Sequence, residues 1–176
     1  MSDTGLLSPA PAARVALFDE LPHAPDFAAA LQTIERARQQ LLGDGLLTVN
    51  HVQRPAQADA ADVIDLQRIW SSRPAQYPVA GRKRKALTPW TRQLLLDGEI
   101  FLGEGRAALQ QVFDDHGLIA SMGLQSVMNV PLLRAGACFA TFNVLGTRAQ
   151  WTALEKQQIE RLAALALPWV ARHVDA

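Results

Sequence analysis

The 176-residue sequence holds a single cysteine, Cys138, no excess of either charge and no apolar run of membrane-spanning length. A lone thiol cannot close an intramolecular disulfide or furnish a multi-cysteine metal site. With 17 Lys and Arg against 17 Asp and Glu, no overall field draws the chain to nucleic acid or to an anionic membrane, so any basic site has to be local. The stretch LAALALPWVA near the end is far too short for a span and follows charged residues, which marks a packed helix end. The start, MSDTGLLSPAPAARV, lacks the basic segment and apolar core of a secretory signal. These absences predict a cytoplasmic protein with no membrane partner. His23, His51, His116 and His173 show no metal-ligand spacing such as HxxxH, and there is no GxSxG, phosphate-cradling glycine loop or paired-carboxylate signature. No metal and no cofactor are expected.

What is present is globular: 49% hydrophobic and 19% charged residues are too apolar for a disordered chain, and the length suits one domain. Residues 1–24 carry Pro9, Pro11 and Pro22 among small residues and are expected to form a flexible arm, leaving 25–176 as a single domain. From Asp26 onward, Phe27, Ala30, Leu31, Ile34, Ala37 and Leu41 recur at helical spacing, with Asp26 to cap the helix and Gly43 to end it. LLTVNHV reads as a strand, followed by a polar loop over 53–61. VIDLQRIW alternates as a half-buried strand, Ile64, Leu66, Arg68 and Trp70 on one side, although helix is not excluded by its apolar spacing. The segment SSRPAQYPVAGRKRKAL has two prolines and five basic residues without periodicity and is expected to be a loop. Thr88 and Pro89 open a short helix, EIFLGEG is a short strand, and 106–122 reads as a helix broken near Gly117. SVMNVPLL and ACFATFNVLG form a hairpin around RAG, and Thr152 with Glu155 makes a capping box for the closing helix ALEKQQIERLAALAL.

At this hairpin and closing helix the sequence resembles the GAF domain family. The residues that carry the resemblance are Ser126, Pro131, Gly136, Asn143 and the helix start at 152–162, about a quarter of the chain. The resemblance implies an α+β fold: an antiparallel sheet of five or six strands, the N- and C-terminal helices on one face and a ligand pocket on the other. The chain departs from known subtypes. It has no NKFDE-like tract as in cyclic-nucleotide-binding members, no cysteine placed for a bilin, and too few cysteines for a disulfide-based methionine sulfoxide reductase.

Strand alternation sorts candidate site residues. In the hairpin, Val127, Asn129 and Pro131 share a side with Phe139, Thr141 and Asn143, whereas Met128, Val130, Cys138, Ala140, Phe142 and Val144 form an apolar side. The apolar side is expected under the helices, with Cys138 as inert packing, and the mixed side is expected to wall the pocket. Asn129 and Asn143 can equally bond to loop backbone and anchor a lid. The basic segment brings Arg73, Tyr77, Arg82, Lys83, Arg84, Lys85 and Trp90, which can close over an anionic or aromatic ligand by bidentate bonds and stacking; its alternative is a solvated turn. Trp70, Phe101 and His116 complete the ligand-binding set. His116, in DDHG, is the weak catalytic candidate, but adjacent residues diverge in direction, so a dyad with Asp115 does not follow from spacing, and a surface or capping role fits as well.

The function expected is a small-molecule-binding sensor, for an anionic or aromatic metabolite held between the sheet and the 71–90 loop, with a separate effector protein as a partner. The alternative is a small-molecule enzyme on the same scaffold, favoured by the lack of an output domain in the sequence and disfavoured by the lack of a catalytic constellation. A homodimer through the first and last helices, using Leu154, Ile159, Leu162, Ala163, Ala166 and Val170, is compatible with either. Nucleic acid is a weak third reading, because five charges lack aromatic interleaving.

Overall fold

The computed structural model describes residues 17–53 and 63–176. The polar loop expected over 53–61 falls almost wholly outside them, as do residues 1–16 of the arm. The remainder of the arm is built into the fold: Leu17 and Leu21 are buried in the main core, Leu21 opening a 3-10 turn, Leu21–His23.

Helix α1, Phe27–Leu42, starts where Asp26 accepts a hydrogen bond from the Ala29 amide at 2.8 Å, and ends at Gly43. Strands β1, Gly45–Gln53, and β2, Val63–Ser71, follow, then β3, Arg82–Ala86. Helix α2, Pro89–Thr91, is capped by Thr88 and runs into a π-helical segment, Arg92–Leu96. After β4, Phe101–Glu104, the expected broken helix is two helices, α3, Arg106–Val112, and α4, His116–Ser121. The break falls at 113–115, ahead of Gly117. Strands β5, Ser126–Arg134, and β6, Ala137–Gly146, form the hairpin, whose turn residues Ala135 and Gly136 both have positive φ, 48° and 79°, as a right-twisted two-residue turn requires. Helix α5, Ala153–Val174, has the Thr152–Glu155 capping box and continues through Pro168, beyond the expected end, because Val170 is fully buried.

All six strands join one antiparallel sheet in the order β3-β2-β1-β6-β5-β4, the α+β architecture expected. The basic run GRKRK, expected as a loop, is the edge strand β3, paired with β2 from Val63↔Ala86 to Gln67↔Arg82. Charged side chains on an edge strand discourage pairing with another chain. One sheet face packs on α1 and α5 through Leu47, Val49, Met128, Val130, Phe142 and Val144. The apolar stripe of α5 expected at a dimer surface is spent inside this core: Ile159, Leu162, Ala163, Ala166 and Val170 are buried, and only Leu154 is exposed. The other face is covered by α2, α3, α4 and the chain around Tyr77.

Two β-bulges reassign side chains. Between β1 and β2 the register passes from Val49↔Trp70 to Asn50↔Arg68, so Ile69 is the extra residue. Between β5 and β6 it passes from Leu132↔Ala140 to Leu133↔Cys138, so Phe139 is the extra residue. Trp70 and Phe139 therefore lie in the helix-side core, and Cys138 packs on the opposite face with Trp90 and Leu94. Strict alternation had placed all three the other way.

Gly45 and Gly146 oppose each other at the end of β1 and β6, where bulk is excluded. A Cβ on Gly45 would overlap the Leu145 carbonyl and lie 2.8 Å from Arg38 Nη1; one on Gly146 would lie 2.5 Å from the Trp151 ring. That space seats Arg38, which is 1% exposed and binds Glu35 through Nε–Oε2 at 2.6 Å and Nη2–Oε1 at 2.9 Å. Gly45→Ala is expected to lower stability by about 1–3 kcal/mol, because backbone has to move. Gly117→Ala, in a helix with open space around it, is expected to be neutral or stabilising by about 0.5–1 kcal/mol. Urea denaturation of the two variants checks the contrast.

Candidate functional site

On the face away from α1 and α5, β1, β6 and β5 present Thr48, Asn143 and Asn129 side by side. A buried polar strand has to satisfy its amides, and here they satisfy one another. Trp90 Nε1 donates to Asn129 Oδ1 at 3.1 Å, Asn129 Nδ2 donates to Asn143 Oδ1 at 2.8 Å, and Asn143 Nδ2 donates to Thr48 Oγ1 at 3.3 Å. The amides thus tie α2 to the three strands, and among the described residues their partners are one another, Trp90, Thr48 and strand backbone.

This ladder floors a cavity whose far wall is Arg68 on β2, Tyr77, and Lys83 and Lys85 on β3, with Phe113 and Ile119 above. The free space is about 40 Å³, which suits a few waters and is much smaller than a metabolite site. Lys85 and Trp90 also line an outer groove of about 690 Å³, bounded by Phe101, Leu102, Val112 and Asp114. The two spaces share these side chains as a common wall. Trp90 meets Phe113 and Phe101 edge-on, at 5.7 and 6.5 Å between ring centroids.

The wall is closed by charge. Asp115, between α3 and α4, accepts hydrogen bonds on Oδ2 from Lys83 Nζ and from Tyr77 Oη, both at 2.6 Å. Asp114 takes Lys85 Nζ at 2.7 Å. Arg68 lies 3.6 Å over the Tyr77 ring and donates from Nη1 to the Pro78 carbonyl at 2.8 Å. Arg68 Nε and Asp115 Oδ1 are buried with no hydrogen-bond partner among the described residues. Burial lowers the Arg68 pKa and raises that of Tyr77, whose hydrogen bond to Asp115 pushes it further up. Burial alone would raise Asp115, but the bonds from Lys83 and Tyr77 outweigh it and hold the carboxyl below its ordinary 3.8.

Of the residues expected at the site from sequence, Tyr77, Lys85, Trp90, Asn129 and Asn143 converge on the cavity, Phe101 lines the outer groove, and Thr141 is buried on the same sheet face. Trp70 and Phe139 are turned to the helix side by the bulges; Arg134 stacks on the Phe139 ring at 4.6 Å. Arg73 pairs with Asp44 outside the cavity, and Arg82 is exposed on the outer side of β3. His116 is exposed and lines a separate shallow pocket with Arg106 and Ala120, so it does not face the cavity. Sequence reasoning passed over Arg68 and Asp115, and it did not single out Lys83 within the basic run. The signals were present: Arg68 falls in the apolar row Ile64, Leu66, and Lys83 shares the period of Lys85 on a strand.

No family model and no curated protein matches the chain. Solved structures do. A GAF domain of an Acinetobacter phosphoenolpyruvate-protein phosphotransferase superposes with a TM-score of 0.64 at 13% identity, over 92% of each chain. The corresponding Coxiella burnetii domain gives 0.62 at 12% identity, over 91% of this chain and 90% of that one. The chromophore-binding domain of a bacteriophytochrome from R. palustris gives 0.59 at 15% identity; 91% of this chain aligns, spanning 60% of that one. The protein has the GAF fold. Among the described residues, no helix is long and apolar enough to cross a membrane, and no group of three or more His, Cys, Asp or Glu could hold a metal ion.

The closure has a pH dependence of fixed sign. A carboxyl with a depressed folded pKa contributes stability that is fully present above its unfolded value and is lost as pH falls through the folded value. Asp115→Asn is expected to destabilise by about 2 kcal/mol at pH 7. The gap from the unsubstituted protein should narrow below pH 3.8. Chemical denaturation of both proteins from pH 7 down to pH 3 checks this; a gap independent of pH would remove the Asp115 contribution.

Proposed function

We propose that the protein is a sensory module that binds a small anionic or aromatic molecule between the polar sheet face and the segment 77–90. The observation that carries this reading is the cavity itself: Arg68, Tyr77, Lys83, Lys85 and Trp90 face a hydrogen-bonded amide floor, and a buried guanidinium nitrogen has no partner there. Small-molecule sites combine apolar walls with a few placed polar groups in this way. The likeness in fold to a chromophore-binding domain supports a sensory role. Catalysis has less support, since His116 faces elsewhere.

Because the free space is about 40 Å³, binding requires the α3–α4 link to move off β3. The ligand then selects an open arrangement by binding it more tightly, and the displacement of the α3–α4 link is the signal. A second copy of the chain or an effector protein would read that change on the outer faces of α1 and α5, where Gln32, Arg36, Gln40, Gln157, Glu160 and Arg161 are exposed. Native mass spectrometry of the purified protein, followed by thermal-shift screening of anionic and aromatic metabolites, tests the reading. A ligand at a hundredfold its Kd should stabilise the fold by about 2.7 kcal/mol. Tyr77→Ala and Trp90→Ala should each weaken binding at least about tenfold, a loss of about 1.4 kcal/mol, while Trp169→Ala leaves it unchanged. Equal effects at all three positions would overturn the assignment of the site, and conversion of the ligand on incubation would make the protein an enzyme.

A further inference from the structure

We propose that the molecule this site takes is a monocarboxylate with a flat apolar body, and that Asp115 is an internal stand-in for its carboxylate in the closed state. The inference rests on the reading of the cavity as a small-molecule site and names the chemical class of its ligand.

Charge is the first ground. Lys83 is paired with Asp115 and Lys85 with Asp114, which leaves Arg68 as the cation of the cavity without a hydrogen-bonded carboxylate among the described residues. Arg68 is 9% exposed, and its guanidinium is held by a backbone carbonyl and an aromatic face while Nε donates to nothing. A buried cation in this state is costly, and an anion brought within reach of Nε relieves the cost. The unmatched charge calls for an anion, and an ammonium would add to it.

The second ground is the way Asp115 is bound. Both of its side-chain donors, Lys83 Nζ and Tyr77 Oη, reach the same oxygen, and the buried Oδ1 has no hydrogen-bond partner among the described residues. A free carboxylate entering the cavity can take the same two donors on one oxygen and Arg68 Nε on the other. The exchange is carboxylate for carboxylate, so the donors stay satisfied, and Asp115, in the short link between α3 and α4, regains water. Shape supplies the third ground. The outer groove that shares Lys85 and Trp90 with the cavity has Phe101, Leu102 and Val112 in its wall beside Gln93, Gln111 and Asp114, so a carboxylate held inside would leave an apolar body room against aromatic and aliphatic side chains.

The test uses the full chain labelled with 15N and follows its four tryptophan indole N–H signals, with Trp90 assigned by Trp90→Phe. The probes are phenylacetate, its neutral isostere phenylacetamide, the cation phenethylamine and the dianion phenyl phosphate. Phenylacetate is expected to shift the Trp90 signal and to bind at least about tenfold more tightly than phenylacetamide, a comparison that needs no variant. Asp115→Asn, which weakens the competitor, should tighten phenylacetate about tenfold, since apparent affinity scales with the open fraction. Arg68→Gln should erase the preference for acid over amide. Equal binding of acid and amide, a preference for the amine or the phosphate, or weaker phenylacetate binding by Asp115→Asn would each overturn the inference while leaving a small-molecule site. If all four probes leave Trp90 unmoved in both proteins, the inference fails. If native mass spectrometry also finds nothing bound, the binding reading fails with it.

Discussion

The hydrogen-bonded chain from the Trp90 indole through Asn129 and Asn143 to Thr48 is the constraint on which the cavity depends. Each asparagine gives one donor and takes one donor along the chain, so removing any member strands a neighbour in a buried site, at a cost of about 1–3 kcal/mol per group. The chain crosses β5, β6 and β1 and reaches α2. It therefore fixes the floor of the cavity and the position of one wall together. Trp90 cannot rotate without losing its only nitrogen donor to Asn129, and it is Trp90 that separates the inner cavity from the outer groove. The opposite wall is made differently. Lys83 and Lys85 reach Asp115 and Asp114 across the cavity mouth, and Asp114 has 84% of its side chain exposed. Contacts of that kind are screened by water and salt, whereas the amide chain is not.

Much of this was legible in the sequence because it is periodic. The helical spacing of Ala30, Leu31, Ile34 and Ala37, the capping box at Thr152 and Glu155, and the alternation of the hairpin each map to one local rule, and each corresponds to an element of the fold. Where the reading failed, a single residue had been inserted into a strand. The extra residues Ile69 and Phe139 leave the ladder locally but reverse the facing of everything beyond them, which carried Trp70 and Phe139 to the helix side and Cys138 to the other. No glycine or proline marks either bulge: Ile69 lies between Arg68 and Trp70, and Phe139 between Cys138 and Ala140. Asp115 was passed over for another reason. Its role depends on Lys83 and Tyr77, 32 and 38 residues away in sequence, and only the sheet topology brings them together.

The basic run shows how one segment satisfies two requirements. As an edge strand, β3 needs charge to discourage pairing with another chain, and Arg82 and Arg84 supply it on the outward side. The period of the strand then turns Lys83 and Lys85 toward the cavity, where long flexible stems let the ammonium groups reach the aspartates. Read as an unpaired turn, the run has four equivalent charges. Read as a strand, it has two for solvent and two for the site.

A wall of this strength sets the range in which the cavity can respond. Two partly exposed ion pairs contribute about 0.2–1 kcal/mol each, and the charged hydrogen bond from Tyr77 to Asp115 about 1.5–3 kcal/mol. Opening the wall while leaving the floor intact thus costs roughly 2–5 kcal/mol, which places the open fraction between about one in thirty and one in several thousand, at 1.4 kcal/mol per tenfold. A ligand that binds only the open arrangement has its apparent affinity reduced by that same factor. Because the donors released by Asp115 are those a carboxylate can reuse, the hydrogen-bond part of the cost is returned when the ligand is seated, and what remains is the reorganisation of the α3–α4 link. A neutral ligand of equal size recovers much less of it. On the proposed reading, selectivity for an anion arises from the closed state as much as from the bound one.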